Sequence, residues 1–249
     1  MRSVRTVLST FALLSLAASL ASVAAAAPGL DPNRAGAINV DATTLALSRA
    51  KMSGSIRVES HKDAPDLVQV HVYAWSQHDG QDELAPTDDL IGLPLVFTLA
   101  PNGSQTVRVG IRGAIGGAQE LAYRVIVGEV ATDQRVRSGL ETRLAFNFPV
   151  YVAPLGAVNR SLQWSVQRLD QRHLKVTAQN TGNVHVAIQH LALSDGARAA
   201  KLAELDARQA VLAGRQWSWT VETTAAVIPA DPVLVEATTD AGMLRAQVP

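Results

Sequence analysis

LETRLAFNFPVYVAP, residues 140–154, is the stretch that decides the fold class. Its even-numbered residues Leu140, Thr142, Leu144, Phe146, Phe148, Val150 and Val152 form one nearly unbroken apolar row, with polar Glu141, Arg143 and Asn147 between them. Side chains alternate faces along a strand, so this period of two predicts a long strand with one apolar face. Pro149 and Pro154 cannot donate to a central ladder, which sets the strand near a sheet edge before the chain leaves the domain. A long apolar edge strand invites aggregation. Either another element of the chain covers it, or it is presented to a partner.

The segments before it follow the same pattern. Residues 67–77, LVQVHVYAWSQ, alternate cleanly, with Val68, Val70, Val72 and Ala74 on one face. SGSIRVES, LVFTL, QTVRVGI and ELAYRVIVGEV read as further strands. The apolar phase changes at Thr43–Thr44, between Val40/Ala42 and Leu45/Leu47, as a strand passing from one sheet to another requires. Residues 78–89, HDGQDELAPTDD, read as a polar, turn-rich connection, and RGAIGGAQ as a loop. APLGAVNR, residues 153–160, reads as a domain linker. Beyond it LQWSVQRL, HLKVTAQN, NVHVAIQHLAL, AVLAGRQWSWTV and PVLVEATT repeat the strand pattern. Asn180-Thr181-Gly182-Asn183 predicts a hairpin turn. AKLAELDARQA, residues 200–210, is the one segment with helical character, read as a loop carrying a turn or two. Short strands at regular spacing without interleaved helices predict antiparallel β-sandwiches. The expected fold is therefore all-β, with two tandem immunoglobulin-like domains over residues 35–153 and 160–249.

At the start of the chain, Arg2 and Arg5 precede an apolar run and the small-residue tract ASVAAAAPG. This order predicts a cleavable signal peptide over residues 1–26 and an exported protein with no membrane insertion after cleavage. With no cysteine, the mature chain must draw its stability from burial. Lys plus Arg and Asp plus Glu number 22 each, so no basic excess points to nucleic acid. Catalytic and metal signals are weak. His185 and His190 differ in strand parity, as do His71 and His78. The acidic residues Asp79, Asp82, Glu83, Asp88 and Asp89 lack the register of a calcium loop. The glycines near Gly113 open no phosphate-binding helix, and no G-x-S-x-G elbow occurs. The chain reads as a non-enzyme without metal or cofactor.

The order DLVQVHVYAWSQHDGQDELAPTDDLIGLPLVFTLAPNGSQTVRVGI, ELAYRVIVGEV, LAFNFPVYVAP resembles the N-terminal domain of the periplasmic pilus chaperones, the PapD-like family, and its archaic chaperone–usher branch above all. QNTGNVHVAIQHLAL, VLAGRQWSWTV and TTDAG resemble that family's C-terminal domain. The resemblance implies a boomerang of two immunoglobulin-like domains in the periplasm. Such a chaperone completes the unfinished sandwich of a pilus or spore-coat-U-like subunit with its own strand and delivers it to an outer-membrane usher. It further implies that Leu140, Thr142, Leu144 and Phe146 enter the subunit groove, while Phe148, Val150 and Val152 stay in the chaperone's own core. Better-known members hold the subunit's terminal carboxylate with an Arg and a Lys. The matching positions here are Thr44 and Asn147, both uncharged, with Arg143 or Arg49 as substitutes. Arg108, Arg112 and Arg124 are further basic candidates, and Tyr123-Arg124 matches a family Tyr-Arg expected to be structural. Two other classes stand beside this reading. One is a structural pilus subunit or adhesin; the other is a carbohydrate-binding module using Tyr73, Trp75, Trp217 and Trp219.

Overall fold

The computed structural model describes residues 38–113, 116–130, 143–198, 200–223 and 232–249. The expected leader and the predicted groove residues Leu140 and Thr142 lie outside these. Every regular element among the described residues is a strand.

The first half holds β1 (Ile38–Val40), β2 (Leu45–Leu47), β3 (Ser53–Ser60), β4 (Asp66–His78), β5 (Gln81–Pro86), β6 (Leu90–Leu93), β7 (Val96–Leu99), β8 (Ser104–Ile111), β9 (Leu121–Glu129) and β10 (Ala145–Val152). They form two sheets, β1-β3-β8-β6 and β2-β10-β9-β4-β5, with β7 also paired to β4. Alternate residues of the two sheets, among them Ile56, Val58, Val107 and Val109 from one and Val68, Val70, Val125, Val127 and Val150 from the other, close a single core. The first strand is split as its phase change requires. β1 pairs with β3, and after residues 41–44 β2 pairs with β10 in the opposite sheet.

Residues 78–89 depart from expectation. Asp79 and Gly80 both take positive φ, 48° and 73°, as the two central residues of a tight hairpin turn do. The polar residues after them form β5, paired to β4 from Tyr73 to His78 and exposed along its whole length. An edge strand lying on solvent needs no apolar row, so its sequence looks like a loop. Leu93–Pro94 is a cis peptide bond.

The second half holds β11 (Leu162–Arg168), β12 (His173–Asn180), β13 (Val186–Asp195), β14 (Lys201–Val211), β15 (Gln216–Glu222), β16 (Val233–Thr239) and β17 (Gly242–Val248). The sheets β11-β12-β15 and β14-β13-β16-β17 enclose a second core around Leu174, Val176, Ile188, Leu191, Leu193 and Val235. Two readings are corrected here. Residues 180–183 do not form a hairpin turn, because β12 and β13 lie in different sheets. Residues 201–211 are a strand rather than a loop or helix. Register shifts in its pairing with β13, and a positive φ of 41° at Arg208, break the alternation and leave Leu202 and Ala203 both buried.

A third, smaller cluster joins the halves. Trp75 of β4, Tyr151 of β10 and Leu212, just after β14, pack together with Ala122 and Ala210. Gln77, 2 % exposed, donates to the Ala210 carbonyl at 2.8 Å and accepts from the Leu212 N–H at 2.9 Å. His185 stacks on Tyr151 with ring centroids 3.6 Å apart, and its Nδ1 lies 2.6 Å from Glu120 Oε2.

Candidate functional site

β10 has two unlike edges. Along one it pairs with β9 over its full length, from Ala145 opposite Gly128 to Val152 opposite Leu121. Along the other it meets β2 only at Val150, Tyr151 and Val152. The crossing of the first strand between sheets therefore leaves residues 145–149 without a described neighbour on that side.

The direction of each backbone group follows from one bond. Glu129 N–H donates to the Leu144 carbonyl at 3.1 Å, so Leu144 and the even-numbered residues after it face β9. The odd-numbered residues face the open side, and Ala153 N–H accordingly reaches the Leu47 carbonyl beyond β2. Ala145 and Asn147 thus offer N–H and C=O groups to the open edge, and Pro149 offers a carbonyl only. Pro149 is tolerated because its missing N–H would point away from β9.

On the side chains the strand is graded. Phe148, Val150 and Val152 are buried in the first core, as the sequence predicts. Phe146 is half-buried at the core's margin and stacks on Phe148 at 6.3 Å. Leu144 is half-buried, while Ala145 and Asn147 are exposed. The apolar row therefore emerges from the chain's own sandwich toward its first described residues. An open backbone edge beside a half-covered apolar row is the chemistry of strand addition: hydrogen bonds give affinity and alternate side chains seek pockets.

The basic candidates do not converge. Arg143 precedes β10, and Arg49 follows β2 in a turn closed between Ser48 and Lys51. Because β2 runs parallel to β10 with Leu47 at Val152, the two arginines flank opposite ends of the strand, roughly 30 Å of extended chain apart. Thr44 precedes Leu45, which pairs with Val150, so continuing the register sets Thr44 beside Pro149 rather than Asn147. Opposite Pro149, on β9, stands Arg124. Its guanidinium lies 3.6 Å from the Trp75 ring centroid and 3.8 Å from Asp82 Oδ2. Burial draws this guanidinium below its usual range, opposed by Tyr151 and Asp82. Stacked on an indole and faced by a carboxylate, Arg124 braces Trp75, which is the first half's aromatic contribution to the joint. Arg112 reaches Asp88 at 3.4 Å on the surface.

Sequence reasoning missed the polar residues of the joint, Gln77, Glu120 and Asn183. Their partners lie in the other half of the chain, and no local spacing announces them. Among the described residues, the four aromatic candidates are drawn into packing contacts. Trp217 and Trp219 pack against the second core, Trp75 is 4 % exposed, and Tyr73 stacks on His71. No group of three or more potential metal ligands occurs among the described residues.

Residues 37–157 match the family model for the pili and flagellar-assembly chaperone, PapD N-terminal domain. No curated protein matches the chain. Among solved structures, the chain is similar to one from the CsuC–CsuE chaperone–tip adhesion subunit pre-assembly complex of the archaic chaperone–usher Csu pili of Acinetobacter baumannii. That match has a TM-score of 0.63 at 14 % identity, covering 85 % of this chain and 97 % of that one. It is similar to the Escherichia coli chaperone DraB at a TM-score of 0.57 and 16 % identity, covering 85 % and 96 %. The Pseudomonas aeruginosa CupB2 chaperone matches at 0.53 and 17 %, covering 84 % and 98 %. At these identities the likeness is one of fold, and it extends over both sandwiches.

Proposed function

Since the chain belongs, through its first domain, to the PapD-like family of pili and flagellar-assembly chaperones, we propose that it captures pilus subunits by donor-strand complementation in the periplasm. The observation that carries the reading is the edge of β10 over residues 145–149, which no described strand covers, with Leu144 and Phe146 only half-covered on the apolar side. A subunit lacking its last strand would pair with Ala145 and Asn147 and take Leu144 and Phe146 into its groove. In the sequence, Leu140 and Thr142 continue the same alternation. The functional domains are those over residues 35–153 and 160–249.

Each large apolar side chain buried contributes ~1.5–3 kcal/mol, so a few anchors and a short ladder suffice to hold a subunit before ordering costs are subtracted. No hydrolysis is needed: release occurs by exchange with another donor strand at an outer-membrane usher. Arg124 is committed to Trp75 and Asp82, and Thr44 and Asn147 carry no charge. The strand edge therefore bears most of the binding energy, and a terminal carboxylate adds little.

The experiment is periplasmic co-expression with a candidate pilus subunit that lacks its last strand, reading soluble 1:1 complex by size exclusion. Leu144→Asp should abolish the complex while leaving the chaperone's circular dichroism and melting curve near wild type. Complex retained by a folded Leu144→Asp chain would remove the donor-strand assignment. A structural-subunit reading requires a single unfinished sandwich with an N-terminal donor; here the open strand is internal and both sandwiches have closed cores.

A further inference from the structure

The donor edge must be extended before a partner arrives, and a polar cluster lies where β10 begins. Glu129, the last residue of β9, has a side chain only 7 % exposed. Its Oε2 accepts from the Leu144 N–H at 3.2 Å, and its Oε1 accepts from Lys62 Nζ at 2.5 Å. Lys62 also donates to Asp66 Oδ1, at the first residue of β4, at 3.1 Å. Segments from four places in the sequence meet there: the chain after β3, the start of β4, the end of β9 and the approach to β10.

The pairing of Glu129 with Leu144 is unusual in one respect. Glu129 N–H donates to the Leu144 carbonyl, as a ladder requires. The return bond, from Leu144 N–H, goes to the Glu129 carboxylate. Side chain thus replaces main chain at the last rung. A carboxylate acceptor makes this bond charge-assisted. It holds Leu144 against β9 with its opposite edge left open. Burial pulls the Lys62 ammonium down, but its bonds to Glu129 and Asp66 outweigh this and raise it, so the cation is retained at neutral pH.

We infer that Glu129, held by Lys62, is a positioning residue that fixes the beginning of the donor strand in its extended, subunit-competent form. This rests on the donor-strand reading of β10. A residue left free in solution must be ordered when the partner pairs with it, and that cost is subtracted from affinity. The Glu129–Leu144 bond meets it in advance.

The test compares Glu129→Gln and Glu129→Ala with wild type. Hydrogen–deuterium exchange of the free chaperone reads the Leu144 and Phe146 amides directly. Glu129→Ala should speed exchange at both by tenfold or more, while amides of β3 and β12 stay protected. Glu129→Gln retains an acceptor and should restore most of the protection. Capture of the co-expressed subunit that the wild type retains should follow the same order, with roughly tenfold weaker retention for Glu129→Ala. Unchanged exchange at Leu144 in a folded Glu129→Ala chain overturns the inference, whatever the subunit does. Faster exchange with undiminished capture overturns the positioning role. A wild-type chain that captures no subunit fails the donor-strand reading instead, and with it the role in capture, while the exchange result still decides whether Glu129 holds the strand.

Discussion

Gly182 shows how much one residue carries. A Cβ added there would lie 2.3 Å from the Asn159 carbonyl oxygen and 2.9 Å from the Ser161 nitrogen, both backbone atoms that cannot swing aside. Its neighbour Asn183 accepts from the Asn159 N–H through Oδ1 at 2.7 Å and donates through Nδ2 to the Ala157 carbonyl at 2.9 Å. The Asn183 carbonyl accepts from the Glu120 N–H. The tetrapeptide that reads as a hairpin turn is therefore the seat of the linker, with bonds to both halves of the chain. Turn residues were legible as such; which strands they connect was not, because turn chemistry is local and sheet membership depends on distant pairing. Gly182→Ala should cost about 1–3 kcal/mol, the usual penalty for forcing atoms into a filled space, and lower the melting temperature by several degrees. Gly117→Ala is the control, since nothing lies within 4 Å of the position its Cβ would take. Equal melting temperatures for the two variants would refute the close-approach account.

At the scale of the element, β10 was the most legible part of the chain, and β5 and β14 were the least. The period of two from Leu144 to Val152 named the strand and its apolar face, and the family resemblance added that Phe148, Val150 and Val152 belong to the chain's own core. Pro149 announced that one side of the strand lacks a full ladder, but how far that side stays unpaired was not legible, because it is set by where β2 stops pairing. β5 and β14 were misread for related reasons: one lies on solvent and the other is broken by bulges, so neither shows an alternating row. The edge assignment makes a sharp prediction about proline. Asn147→Pro removes an N–H that faces the open side, so the chaperone should fold with a urea midpoint close to wild type. Subunit capture should weaken by about 1 kcal/mol or more, the worth of one lost backbone bond with a ring in its place. Phe146→Pro removes an N–H directed at β9 and should destabilise the chaperone itself. Urea unfolding and complex retention, measured on both variants, check the contrast. If Asn147→Pro unfolds the chain as readily as Phe146→Pro does, the parity assigned to β10 is wrong.

At the scale of the molecule, the two halves are held by polar contacts set in a small apolar cluster. The alternation of strands announced two sandwiches, but it could not announce their joint, whose residues are drawn from Trp75, Gln77, Glu120, Tyr151, His185 and Leu212. Gln77→Leu would leave the Leu212 N–H without its partner in a buried place, at about 1–3 kcal/mol, while the Ala210 carbonyl would keep its bond from Gln209 Nε2. Thermal melting should move down, and small-angle scattering should show a broader distribution of interdomain distances; an unchanged scattering profile would count against Gln77 as a tie. The joint also sets an alkaline limit. Burial raises the Tyr151 phenol above its usual range, with Glu120, Asp240 and Asp82 adding to this against the opposing Arg124. Burial raises Tyr123 too, reinforced by its bond to Asp89 Oδ2 at 2.9 Å. A phenol whose folded pKa exceeds the unfolded value of about 10 leaves stability intact below that pH. Above it the unfolded chain releases a proton that the folded chain keeps, so stability falls as pH rises toward the folded pKa. Lys62 acts in the same direction, its cation favoured in the folded state. The urea midpoint should therefore hold steady from pH 8 to about 9.5 and decline beyond 10. Tyr151→Phe, which has no proton to lose, should flatten part of that decline. A wild-type midpoint that stays level to pH 11, or phenolate absorbance at 295 nm rising fully at pH 10.5 before unfolding, would show that the joint admits solvent more freely than its packing implies.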